Sequence, residues 1–158
     1  MQRRPAAPLY HSALQVRVDD ATYAVEMTPA WPRHRDDRGV VAVGPVGTRA
    51  LGRLRAFRYE IRIWRGGAIG DVADAVGGPV RLGDADGAQR LLALAPSVPV
   101  HVWGRDELGA GDMWNSNSVV AWLLAGVGID AGRLAPPAGG RAPGWRAGLL
   151  AAGQSLRL

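Results

Sequence analysis

The sequence predicts an α+β domain in which an antiparallel sheet or open barrel packs against two helices. Three observations predict it. Several stretches alternate apolar and polar residues with short turn signals between them, the pattern of half-buried strands joined as hairpins. Two apolar stretches carry helix caps. The chain has 158 residues, a length that suits one sizeable core. No internal repeat and no second domain is discernible, so residues 10–158 are expected to form the domain, behind a flexible arm of residues 1–9.

The first strand starts near His11, with Leu14, Val16 and Val18 opposite Ala13, Gln15 and Arg17. Asp19-Asp20 marks a turn, and Tyr23, Val25 and Met27 share one face of a second strand. The register that keeps both apolar faces together pairs Val16 with Tyr23 and Leu14 with Val25. Continued outward, it sets His11 opposite Thr28, with Glu26 one pair away on the same face. Residues 31–38 form a polar loop, and Val40 to Val43 a short strand ending at Gly44-Pro45. The fourth strand spans Arg55 to Trp64, with Phe57, Tyr59, Ile61 and Ile63 on one face and Arg58, Glu60 and Arg62 on the other.

Asp84 or Asp86 caps a helix whose apolar face is Ala88, Leu91, Leu92 and Ala95, and Pro96 ends it. A Gly-rich loop from Gly104 to Gly111 precedes Trp114-Asn115-Ser116-Asn117-Ser118. The next seven residues are apolar on every side, as in a buried helix, and Gly126 and Gly128 end it. Pro and Gly crowd residues 134–148, where Trp145 suggests a segment wrapping the body.

Composition excludes some chemistry. With no cysteine there is no disulfide, thiolate metal site or cysteine nucleophile. The net charge of +5 comes entirely from arginine over acid, in a sequence heavy in Ala, Gly and Pro. That balance follows from arginine's high pKa and does not demand a nucleic-acid partner. The longest apolar run is too short to span a bilayer, the first residues lack a signal-peptide core, and a cytoplasmic location is expected. No cofactor and no metal site is expected.

The strongest chemical signal is Asn115-Ser116-Asn117-Ser118 at a helix start, where unbonded N–H groups and a partial positive charge favour a nucleophile and a developing oxyanion. The same residue types are the best helix caps. His11 is the candidate base for Ser116, with Glu26 or Thr28 to orient it. His34 reads as a solvated loop residue and His101 as structural. Asp106, Glu107 and Asp112 lie in the loop before Ser116. Arg53, Arg55, Arg58, Arg62 and Arg65 interleave with Phe57, Tyr59 and Trp64, but alternation turns Arg58 and Arg62 away from Phe57 and Tyr59, which disfavours a nucleic-acid surface. Gly44-Pro45-Val46-Gly47-Thr48-Arg49 lacks the spacing of a phosphate loop.

These motifs carry a resemblance. Tyr10-His11-Ser12-Ala13-Leu14-Gln15-Val16 and Asn115-Ser116-Asn117-Ser118-Val119 resemble the histidine and nucleophile motifs of the PPPDE isopeptidases, circularly permuted relatives of the NlpC-type cell-wall peptidases. An uncharacterised bacterial family with an Asn-Ser-Asn-Thr-Phe signature and a Leu-Pro-rich tail is more similar still, its tail matched by Leu134-Ala135-Pro136-Pro137. The resemblance implies a circularly permuted papain-like fold with Ser116 at the usual cysteine position. It implies a hydrolase or acyl-transferase-like activity on an amide, isopeptide or ester. Catalytic roles fall on Ser116, His11, Glu26 and Thr28, the oxyanion on the backbone N–H groups of 116–118, and ligand contacts on Trp114, Asn115, Asn117 and Ser118. The rival reading is a non-catalytic module of the same fold that binds a peptide, glycan or lipid-like ligand. An arginine-rich nucleic-acid binder is the third.

Overall fold

The computed structural model describes residues 8–30, 39–67, 69, 76 and 78–153. Most of the expected arm, the polar loop with His34 and residues 68, 70–75 and 77 lie outside the described residues. Pro8 and Leu9, assigned to the arm from sequence, are tied to the chain's other end. Leu9 bridges Arg141, and the Arg141 N–H donates to the Pro8 carbonyl at 2.9 Å.

Four strands, β1 (Leu14–Val18), β2 (Ala21–Pro29), β3 (Val40–Pro45) and β4 (Arg58–Arg65), form an antiparallel sheet in the order β1-β2-β4-β3. Together with the helices this is the α+β class expected. The β1–β2 register is the one that patterning required, Leu14 with Val25 and Val16 with Tyr23. A one-residue slip would turn Val16 and Val25 out of the core, so burial fixes it.

Two expectations about β4 are corrected. The strand begins at Arg58, because residues 51–57 wind into two short 3₁₀ turns closed by the Leu54 and Phe57 N–H groups. Arg58 stiffens these turns by donating to the carbonyls of Gly52 and Arg53, at 2.6 and 2.9 Å. Phe57 is therefore exposed, away from Tyr59 and Ile61. Arg62, assigned to the wet face, is only 5% exposed. Its guanidinium pairs with Glu60, two residues back on the same face, which makes burial of the charge tolerable.

Three α-helices, one more than expected, complete the described structure. The first, α1 (Ala85–Leu94), begins at Asp84, whose carboxylate accepts from the Gly87 N–H at 2.8 Å. It packs on β1 and on α2 (Ser116–Gly126), and α2 lies over β2. From Ser116 to Ala125 only Trp122 of α2 escapes full burial, as its all-round apolar sequence requires. The added helix, α3 (Trp145–Ala151), lies in the segment read as a wrap and packs along α2. It is only seven residues long and would be marginal alone; burial of Ala147 and Leu149 against α2 stabilises it. A Cβ on Gly148 would strike the Ser118 carbonyl, so glycine lets α3 approach α2 this closely. No helix among the described residues is long and apolar enough to cross a membrane.

Candidate active site at the start of α2

The site is built on the first turn of α2. Asn115 is the N-cap, and its side-chain oxygen accepts from the N–H groups of Asn117 and Ser118, at 2.9 and 3.4 Å. The Ser118 hydroxyl accepts from the Asn115 N–H at 3.0 Å, which completes a capping box. The same hydroxyl lies 2.7 Å from the Gly144 carbonyl, to which it donates. Asn115 also donates from Nδ2 to the Pro143 carbonyl at 2.8 Å.

Asn117 faces the other way. Its Nδ2 donates to the carbonyls of Tyr10 at 2.9 Å and Pro143 at 2.8 Å. The Tyr10 N–H in turn donates to the Arg141 carbonyl at 2.8 Å. The residue before His11 is thus held at both its backbone groups, one by the helix start and one by the C-terminal segment. This clamp brings His11 Nδ1 to 2.7 Å from Ser116 Oγ across 105 positions of sequence. If Ser116 is the donor, the imidazole carries its own proton on Nε2.

The two partners sit in different surroundings. Ser116 is 7% exposed, whereas His11 is at the surface. An exposed imidazole exchanges protons readily with water, while a nearly buried hydroxyl keeps a fixed position. The N–H groups of Asn117 and Ser118 are occupied by the cap. Of the three backbone donors expected at 116–118, only that of Ser116 makes no hydrogen bond among the described residues.

The expected orienters are corrected. β1 pairs with β2 only as far as Leu14–Val25. Beyond it, Tyr10 and its neighbours leave the sheet for Arg141 and Asn117, so the pairing of His11 with Thr28 does not form. Glu26 and Thr28 instead pair with Arg62 and Glu60 of β4, and the Thr28 hydroxyl donates to the Pro29 carbonyl at 3.2 Å. Neither side chain hydrogen-bonds His11 among the described residues. The residues expected to contact a ligand are engaged within the chain. Trp114, Asn117 and Ser118 are at most 3% exposed, and the polar groups of Asn115, Asn117 and Ser118 that form hydrogen bonds reach the chain's own backbone.

The loop before Ser116 is braced by carboxylates. Glu107 takes two hydrogen bonds from Arg49, both 2.9 Å, and one from the Val102 N–H at 2.9 Å, and it lies 3.4 Å from His101 Nδ1. Burial alone would raise its pKa; the Val102 N–H, the Arg49 guanidinium and His101 outweigh that and hold the carboxyl below its usual range. His101, read as structural, packs its ring at a 60° tilt against Trp114, centroids 4.7 Å apart, and its carbonyl accepts from the Tyr59 hydroxyl at 2.7 Å. Burial pushes that hydroxyl's pKa up to about 12. Asp112 accepts from the N–H groups of Gly144 at 2.8 Å and Arg146 at 3.3 Å, joining the starts of α2 and α3.

Sequence reading did not find Arg141 and Pro143, whose backbone carbonyls complete the clamp. Backbone acceptors leave no residue-type signature, and the Pro/Gly content of the segment was the only pointer to it. No family model, curated protein or solved structure matches this chain.

Proposed function

We propose that this chain is a hydrolase or acyl-transferase-like domain of the circularly permuted papain-like type, acting on an amide, isopeptide or ester through Ser116 and His11. The observation that carries the reading is the 2.7 Å contact between Ser116 Oγ and His11 Nδ1 at the start of a buried helix. Ser116 Oγ attacks the substrate carbonyl carbon as its proton passes to His11. The resulting oxyanion is met by the Ser116 N–H and the positive end of α2. His11 then gives the proton to the departing amine or alcohol, leaving an acyl-serine that water or a second acceptor resolves. The order of the elements, histidine before the first strand and nucleophile late on a buried helix, supports the permuted papain-like assignment.

A second reading has its own observation. No side chain among the described residues hydrogen-bonds His11 Nε2, and a serine is activated far less easily than a thiol without an oriented base. That favours a module that kept the fold and binds a peptide, glycan or lipid-like ligand. A fluorophosphonate probe separates the two. Covalent labelling of the wild type that is lost in Ser116→Ala and falls at least about tenfold in His11→Ala is the expected result; an unlabelled wild type between pH 6 and 9, a range bracketing the ordinary histidine pKa of about 6.5, leaves the binding module.

A further inference from the structure

A groove of about 440 Å³ opens at the end of β3, away from the Ser116–His11 pair, neither of which lines it. Its walls are residues 43–45, Gly52 and three arginines, Arg49, Arg53 and Arg58, with no acidic side chain among them. Arg49 spends two nitrogens on Glu107, which lies outside the lining. Arg58 is locked by its Nε and Nη2 bonds to the carbonyls of Gly52 and Arg53 and keeps Nη1 unused among the described residues. The Arg53 guanidinium makes no hydrogen bond or ion pair among the described residues, although its carbonyl anchors Arg58. Three guanidiniums thus share one groove with one carboxylate to balance them.

The backbone of the lining offers few donors. The N–H groups of Gly52 and Arg53 already bond to the carbonyls of Arg49 and Ala50, and Pro45 has none. Recognition therefore falls to side chains, and the forked guanidinium is the group that fits carboxylate and phosphate oxygens. The volume suits a small molecule. A nucleic-acid backbone needs a continuing stripe of cations, and the β4 arginines do not extend one: Arg62 is buried and paired with Glu60.

We propose that this groove is a binding site for a small molecule carrying a phosphate or carboxylate group, gripped by Arg53 and the free edges of Arg49 and Arg58. The site is independent of the Ser116 reading. The test is calorimetric titration of the full chain with inorganic phosphate and with citrate, at ionic strength held constant with sodium chloride, in wild type and Arg53→Ala. Saturable binding of either anion, weakened at least about tenfold in Arg53→Ala with an unchanged melting midpoint, is expected, and the stronger anion names the head group. Equal binding by both proteins, or heat no greater than the chloride control, overturns the proposal. So does a DNA duplex that binds through Arg53 where neither anion does.

Discussion

The two halves of the Ser116–His11 pair are held in unlike ways. Ser116 sits in a helix start where each neighbouring polar side chain is fastened twice or more: Asn115 to three groups, Asn117 to two carbonyls, Ser118 to the Gly144 carbonyl and the Asn115 N–H. His11 is at the surface, and its ring has one hydrogen bond among the described residues, to Ser116 itself. Its position is inherited from Tyr10, whose backbone is gripped by Asn117 and Arg141. The difference teaches that the geometry of the pair is stored in the backbone around Tyr10 and not in a side chain behind the imidazole. It also makes Asn117 a side chain that ties the helix start to the backbone beside His11.

The largest effect is therefore expected at Asn117. Asn117→Ala strands the half-buried carbonyl of Tyr10 and leaves that of Pro143 to Asn115 alone among the described residues, at a cost of about 1–3 kcal/mol. Chemical denaturation reads that loss. A cost below about 0.5 kcal/mol would break the comparison, because His11 would then be placed without the clamp.

A smaller effect is expected at Glu107, which braces the loop leading to Ser116. Arg49 is 67% exposed along its side chain, so solvent screens the ion pair, and Glu107→Gln is expected to cost about 1 kcal/mol at neutral pH. The sign of its pH dependence follows from the depressed pKa. The folded state favours the carboxylate, so the contribution is full above the unfolded pKa of about 4.3 and fades as pH falls through the lower, folded value. Wild type should lose stability faster than Glu107→Gln in that acid window, and parallel melting curves would remove Glu107 from the bracing.

The smallest effect is expected at His11. Its exposed ring contributes one hydrogen bond, and His11→Ala should leave the melting midpoint within the shift of about 0.5 kcal/mol. A loss above about 2 kcal/mol, comparable with Asn117→Ala, would show that the imidazole itself holds the segment and would overturn the contrast between the halves.

Much of the fold was legible because it rests on local periodicity. The β1–β2 register, the Asp84 cap and the burial of α2 all follow from which residues are apolar and at what spacing. The failures share a cause. Extending the β1–β2 ladder to His11 and Thr28 assumed that a strand continues while its pattern does, but Tyr10 is drawn out of the sheet by partners 107 and 131 positions away, Asn117 and Arg141. Phe57 fitted the β4 alternation, yet the bonds of Arg58 to Gly52 and Arg53 hold the preceding residues in tight turns. A seven-residue helix such as α3 is too short for its own periodicity to announce it, and its neighbour α2 decides it.

By itself the sequence determined the α+β class, the pairing of the first hairpin, the buried helix and its cap, because apolar spacing and capping chemistry act between near neighbours. It also singled out Ser116 and His11 as a candidate pair. Only the tertiary structure decided that their side chains meet, that Glu26 and Thr28 turn to β4, and that Asn117 holds the backbone beside the histidine. Those outcomes depend on which distant carbonyls are left needing a donor once the chain has closed, a quantity that no local pattern encodes.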